Sequence, residues 1–300
     1  MHCPKGEPFN LEPLVVTQDR MATITHSLVV QGDARVALPK LPDQSVQCVV
    51  TSPPYWSLRD YHMAGQIGLE PTVDQFINRL VEVFAEVRRV LKDDGVLWLN
   101  IGDAYTSGDR GYRAPDKKHP VRAMTFRPPT PDGLKPKDLI GLPWRLAFAL
   151  QRDGWYLRSD IIWHKPNCMP ESVKDRPTRS HEYIFLFSKS DRYYYDHAAI
   201  KEINGRNRRT VWSIPTQAFK GAHFATFPPT LIEPCILAGS RPDDIVLDPF
   251  FGSGTVGLVC NQLQRRYIGI ELHPDYVQIA LERISESGAG PATVLNVEGE

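Results

Sequence analysis

The chain is poor in cysteine, in long apolar runs and in net charge, and each shortage removes a class of protein. Five cysteines, Cys3, Cys48, Cys168, Cys235 and Cys260, are spread over 300 residues. An odd number without C-x-x-C spacing writes neither a disulfide framework nor a zinc site, so reduced thiols, a cytosolic address and no metal are expected. No stretch approaches 18 consecutive apolar residues, and Met1 to Arg20 shows neither a basic start nor an apolar core. Neither a membrane span nor a secretion signal is therefore expected. Thirty-five basic side chains balance 35 acidic ones, so any nucleic-acid binding has to come from local patches rather than from a global field. Apolar residues at 42% and charged residues at 23% sit near globular averages and exclude a disordered or coiled-coil chain.

Proline is in excess, with 26 in the chain, which suggests ordered, proline-bounded loops. Residues 1–24 lack periodicity and read as a tail, leaving 25–300 as one domain. Seven strand-like stretches follow, at 28–30, 46–50, 96–101, 155–163, 182–187, 245–247 and 267–270. Helical patterns separate them. Over 72–92, Val73, Phe76, Ile77, Leu80, Phe84, Val87 and Leu91 recur at three- and four-residue steps, with Thr72 and Gln75 as a capping box and Gly95 as a stop. Further helices are expected over 138–152, over 230–238, from Thr255 and from Pro274. The alternation predicts an α/β fold: a Rossmann-like, mainly parallel seven-stranded sheet with helices on both faces. Pro234-Cys235 invites comparison with a nucleophilic cysteine, but its place in an apolar helical run points to a packed core residue.

Two segments carry ligand chemistry. Asp248-Pro249-Phe250-Phe251-Gly252-Ser253-Gly254-Thr255 follows a strand and opens a helix, where an open α/β sheet places its ligand. The lysine of a phosphate-binding loop is missing. Glu271, ending the next strand, can accept hydrogen bonds from both hydroxyls of a ribose, which implies an adenosine-containing cofactor. The second segment is Thr51-Ser52-Pro53-Pro54-Tyr55-Trp56, in which two prolines force the chain rigidly out of the sheet. The Ser52 hydroxyl and the Ser52 and Pro53 carbonyls can then face the cleft, with aromatic rings beside them. Acceptors aimed at an exocyclic amino group pull electron density back onto its nitrogen, while an aromatic face holds the base. Trp56 fits either a pocket wall or the core.

Together these segments resemble the catalytic and cofactor signatures of the amino-group DNA methyltransferases that use S-adenosyl-L-methionine. The catalytic signature comes first, as in the permuted β group. The resemblance extends from about Leu28 to Ile284. Gln31-Gly32-Asp33-Ala34 resembles the adenine-binding segment, which implies Asp33 near the adenine amino group, and His223-Phe224-Ala225-Thr226-Phe227-Pro228 resembles the segment over the methionine end. The implied cofactor site is Asp33, Ala34, His223, Phe227, Asp248, Pro249, Phe250, Gly252, Gly254, Thr255 and Glu271; the implied catalytic set is Ser52, Pro53, Pro54 and Tyr55. Ser-Pro-Pro-Tyr is typical of cytosine-N4 enzymes and Asp-Pro-Pro-Tyr of adenine-N6 enzymes, so N4 of a flipped cytosine is the expected target and adenine N6 the alternative.

Double-stranded DNA is the expected partner, with a homodimer and a cognate restriction endonuclease as further candidates. Residues 104–135 hold seven basic against three acidic side chains, and 197–222 hold five against one. These loops nominate Arg113, Lys117, Lys118, Arg206, Arg208 and Arg209 as phosphate contacts; Lys165, near a strand end, fits either a phosphate contact or a loop cap. His181 with Glu182 reads as a structural corner rather than an acid–base pair. An oxidoreductase using a nucleotide cofactor would share the glycine turn but leave Ser-Pro-Pro-Tyr without a role. A catalytically silent DNA-binding module and an RNA-directed methyltransferase also stay open, since basic loops do not discriminate sugars.

Overall fold

The computed structural model describes residues 14–15, 24–107, 111–112, 127–217, 227–288 and 292–297. Among the described residues, ten strands form one sheet: β1 (Leu14–Val15), β2 (Leu28–Gln31), β3 (Val46–Thr51), β4 (Leu91–Ile101), β5 (Tyr156–His164), β6 (His181–Ser188), β7 (Val211–Ser213), β8 (Ile245–Asp248), β9 (Arg266–Glu271) and β10 (Thr293–Asn296). Their order is β1-β10-β2-β9-β8-β3-β4-β6-β5-β7. Every neighbouring pair is parallel except β4/β6 and β5/β6, so β6 alone runs against the rest. The expected α/β architecture is present, with ten strands in place of seven. The three additional ones, β1, β7 and β10, are two to four residues long, too short to carry a readable alternation. One of them, β1, lies in the segment read as a tail and pairs with β10.

Side chains alternate between two cores, because successive strand residues point to opposite faces. Val49, Leu97 and Leu99 pack beneath α1 (Ala34–Ala37), α2 (Val73–Val90) and α3 (Leu142–Arg152). Cys48, Val50, Val96 and Trp98 pack against α4 (Pro229–Gly239), α5 (Thr255–Gln262) and α6 (Pro274–Glu286). Cys235 is 1% exposed within this second core, where burial pushes its thiol pKa up, as a packed residue requires. No described helix is long and apolar enough to cross a membrane.

Thr72 caps α2, its hydroxyl accepting from the Gln75 N–H at 3.2 Å. The helix stops at Val90 without Gly95, because Leu91 is already extended. Gly95 lies inside β4, where a Cβ would come within 2.7 Å of Leu91 Cδ2 and 3.1 Å of the Gln47 carbonyl. The helix expected over 138–152 begins only at Leu142, with Gly141 at its start in the left-handed region (φ +77°).

Gly269, in the middle of β9, has a different neighbour. A Cβ there would lie 2.3 Å from the Phe251 ring, which stacks on Tyr267 at 5.8 Å. The ring thus lies on bare backbone and pins the glycine turn to the sheet. Replacing Gly269 with Ala is expected to destabilise the chain by about 1–3 kcal/mol, since overpacking must displace the ring or the strand. The urea midpoint checks this, and an unchanged midpoint would show that Phe251 does not rest on β9.

Candidate active site

Chain order reverses direction across the sheet between β8 and β3, since β9 lies on one side and β4 on the other. Ligands bind in open α/β sheets outside the carboxyl ends of strands at such a switch point. Both motifs start there, because β8 ends at Asp248 and β3 at Thr51. The Thr51 hydroxyl donates to Asp248 Oδ1 at 2.6 Å, joining segments 197 residues apart. The same oxygen accepts the Phe250 N–H at 3.0 Å. Asp248 is 1% exposed. Burial raises its carboxyl pKa to about 7, with the nearby Glu271 charge pushing the same way and the two hydrogen bonds opposing.

The glycine turn supplies space rather than donors. The N–H groups of Phe250, Phe251, Gly252 and Gly254 go to Asp248, the Ile270 carbonyl, Glu271 and the Phe251 carbonyl. Gly252 (φ +52°) and Gly254 (φ +75°) both adopt the left-handed region, and a Cβ on Gly254 would meet Ala280 Cβ at 2.8 Å. Pro249 is buried and Phe250 half-buried. Thr255 departs from its expected part. It is 3% exposed, and its hydroxyl accepts from Arg283 Nη1 at 2.8 Å, a nitrogen that also bonds Ser253 Oγ at 3.0 Å. Its side chain fastens the turn to α6.

Glu271 ends β9 with each carboxylate oxygen accepting one backbone N–H, from Gly252 and from His273, both at 2.8 Å. Burial raises its pKa, against those bonds. A carboxylate has about four lone-pair sites, so two hydroxyls of a ribose can still be accepted. Gly32 at the end of β2 donates to the Glu271 carbonyl at 2.9 Å, which brings Asp33 to the same rim. The Asp33 carboxylate is held by Arg35, whose Nε lies at 3.0 and 3.1 Å from its two oxygens, and it caps α1. Ala34 is buried at 6%, so its side chain belongs to the core.

The segment after Tyr55 folds back over this rim. Trp56 is 4% exposed and donates to the Glu70 carbonyl at 2.9 Å, a core residue rather than a pocket wall. Arg35 also binds the Gly65 carbonyl at 2.9 Å. Tyr61 meets Tyr276 edge-on at 6.1 Å, and Tyr276 stacks on His273 at 4.5 Å, two residues after Glu271. Sequence reading missed Tyr61, Tyr276 and Arg35, since 56–70 has no periodicity and these pairings are long-range.

Ser52 is half-buried, Pro53 buried, and Pro54 and Tyr55 half-buried. The Tyr55 hydroxyl donates to Glu182 Oε2 at 2.8 Å. Asn100 Nδ2 approaches the same oxygen at 3.3 Å, while Lys165 Nζ is ion-paired to Oε1. Glu182 reaches the site because β6 is antiparallel and begins at the edge where β3 and β4 end. Burial, and secondarily the Glu182 charge, hold the Tyr55 phenol well above its usual range. Lys165 also lies 4.1 Å from the centre of the Trp163 ring. Its ammonium is thus committed internally and does not stand out as a phosphate contact.

Arg113, Lys117, Lys118 and His223 lie outside the described residues. Phe227 is half-buried against the second core. Arg206 and Arg209 are exposed, while Arg208 packs 4.5 Å over Trp212. All three precede β7, four strands from β3 or roughly 19 Å at the usual strand spacing, and so are not brought to the crevice. The four described cysteines are free, and no described cluster of His, Cys, Asp or Glu is placed to hold a metal.

The family model N6_N4_Mtase, described as DNA methylase, matches residues 46–282. The type II methyltransferase M.Cfr9I of Citrobacter freundii is 67% identical over 258 residues, 85% of this chain and 86% of its own. The type II methyltransferase M.SmaI of Serratia marcescens is 62% identical over 262 residues, 85% of this chain and 90% of its own. Among solved structures, a DNA modification methylase of Thermus thermophilus, TTHA0409, described as putative and complexed with S-adenosyl-L-methionine, matches with a TM-score of 0.67. Its identity is 28%, over 92% of this chain and 100% of that one.

A carboxyl with pKa about 7 when folded and about 3.9 when unfolded binds a proton in the folded chain that the unfolded chain releases. Stability from this group is therefore full below about pH 4 and is lost as pH rises through about 7. In Asp248→Asn the titrating proton is gone, and the side-chain oxygen still accepts from Thr51. From about pH 5 to 7, the native chain should lose stability relative to this variant by up to about 1.4 kcal/mol per pH unit. Urea titrations at several pH values measure the difference, and parallel curves would place the proton elsewhere.

Proposed function

The chain belongs to the N6/N4 DNA methylase family and takes S-adenosyl-L-methionine as its cofactor, and on that premise we propose that it methylates N4 of a cytosine flipped out of double-stranded DNA. The observation that carries this reading is the Thr51–Asp248 bond, which sets Ser52-Pro53-Pro54-Tyr55 against the cofactor turn. Serine at position 52, where the adenine-N6 signature has aspartate, favours cytosine.

Bound in the crevice, the cofactor supplies an electrophilic methyl group on a positively charged sulfur. Glu271 accepts from the ribose hydroxyls, the Asp33 segment borders the adenine, and the turn from Phe250 to Gly254 bounds the methionine portion. The Ser52 hydroxyl and the Pro53 carbonyl accept from the amino group of the base. They localise its lone pair on nitrogen and hold it in line for attack. Tyr55 stacks on the extruded ring, offsetting part of the few kcal/mol that unstacking costs. Exposed Arg206 and Arg209, at the β7 flank of the sheet, meet phosphates away from the crevice, and Arg113, Lys117 and Lys118 are further candidate phosphate contacts. The type II relatives support a role as the modification half of a restriction–modification pair, with a cognate endonuclease as partner.

Mixed-sequence DNA incubated with isotopically labelled cofactor and digested to nucleosides should yield N4-methylcytosine by mass spectrometry. Labelled N6-methyladenine would overturn the choice of base. Ser52→Ala should lower kcat on the order of 10²-fold, the scale of losing one positioned hydrogen bond at a reacting centre, with KM for DNA little changed. Undiminished methylation would remove Ser52 from the mechanism.

A further inference from the structure

Around Tyr55 the crevice wall holds more charge than stacking on a base requires. Glu182 and Lys165 are each only 17% exposed at the side chain and are paired to one another. Burying such a pair contributes little net stability, because desolvation offsets the attraction. Its connections show what it can do instead. One Glu182 oxygen is taken by Lys165, and the other receives the Tyr55 hydroxyl at 2.8 Å and Asn100 Nδ2 at 3.3 Å. Lys165 is fixed in turn over Trp163, and Asn100 by a 3.0 Å bond to the Tyr183 carbonyl. Tyr55 is confined from another side by Gly102, where a Cβ would come within 2.8 Å of Tyr55 Cε2 and 3.2 Å of Glu182 Oε1. The ring is held at its hydroxyl and packed against bare backbone.

We propose that Glu182 is a positioning residue for methyl transfer, a clamp that fixes the Tyr55 ring as a platform for the extruded base. Lys165 holds the clamp's carboxylate in place from its other oxygen. This rests on the reading of Tyr55 as the stacking surface. A ring ordered before the base arrives spares the complex the cost of immobilising it, and base–aromatic stacking is worth about 1–3 kcal/mol. An ordered ring also keeps the amino nitrogen in line with the methyl group, so losing the clamp lowers turnover more than DNA binding.

A double-mutant cycle on the full-length protein tests this, with Tyr55→Phe, Glu182→Ala, their combination, and Glu182→Gln. DNA methylation is measured as separate kcat and KM, cofactor affinity by calorimetry and folding by thermal melts. Tyr55→Phe and Glu182→Ala are each expected to lower kcat about tenfold at unchanged KM for DNA and unchanged cofactor affinity. The combination should lose clearly less than the product of the two single losses, because the Tyr55–Glu182 bond is common to both, while Tyr55→Phe also removes the hydroxyl's hydrogen bond with Ser52. Glu182→Gln, whose amide oxygen can still accept from Tyr55 but whose NH2 then faces Lys165 in place of Oε1, should recover part of the loss and exceed the kcat of Glu182→Ala by about threefold. Multiplicative losses in the combined variant, a silent Tyr55→Phe, or a Glu182→Ala defect confined to cofactor affinity would each overturn the clamp. Should Glu182→Ala not fold, Tyr55→Phe alone and combined with Glu182→Gln decide: a tenfold loss from the first that the second does not deepen supports the clamp, and any other pattern overturns it. The base identity is read separately on the native chain. Labelled adenine would sink the cytosine reading and leave the coupling measurable on adenine.

Discussion

Beyond the β3/β8 ladder, which ends at Val49 and Leu247, one buried side-chain hydrogen bond, from Thr51 to Asp248, ties together the two strand ends that carry the crevice motifs. It lies where neighbouring strands diverge in chain order, so nothing local in the sequence keeps β3 and β8 in line at their ends. Asp248 also receives the Phe250 N–H, so one carboxyl sets both the level of the proline segment and the start of the glycine turn. The turn is then fastened at three further points: Phe251 on β9, Gly252 to Glu271, and Ser253 with Thr255 to Arg283. The N–H groups of Phe250, Phe251, Gly252 and Gly254 are used internally, which leaves little of the donor cradle that a phosphate needs. The carboxylate that remains able to accept is Glu271, one strand away.

The same economy governs charge around the crevice. Arg35 is committed to Asp33, Lys165 to Glu182, and Arg179 to the Asp103 carbonyl. Asp103 is itself occupied, its Oδ1 accepting the Gly141 and Leu142 N–H groups at the start of α3, both at 2.9 Å. Cations that look available in the sequence thus serve as internal struts. Arg206 and Arg209, exposed ahead of the edge strand, are different: in a chain of zero net charge they concentrate positive charge locally, at the flank of the sheet.

Most of the architecture was legible because the central strands are buried on both faces and read as short continuous apolar runs, while helix burial recurs with period 3.6. The run Cys48-Val49-Val50 marks a strand without telling its faces apart, whereas the apolar stripe of α2 announces its face directly. The site was legible where one motif supplies its own geometry, as with the prolines after Thr51 or the carboxylate ending the strand after the glycine turn. It was illegible where partners come from distant strands. Glu182 meets Tyr55 across 127 residues and Asn100 across 82, and only the reversed direction of β6 makes those meetings possible. Lys165 was readable as a cation but not as a paired one. The strands β1, β7 and β10, of two to four residues, escape notice because so short a stretch shows no period. Gly95 resembles a helix stop in the sequence, whereas its use is close approach within β4.

The order of the two motifs along the chain also bears on synthesis. Ser52 and Tyr55 leave the ribosome early, and Asp248, Phe250 and Glu271 emerge nearly 200 residues later. The central strand β8 is missing until then, so β3 has a neighbour on one side only. A half-made chain therefore lacks the glycine turn and Glu271 and has an open sheet edge, the kind of surface that chaperones shield.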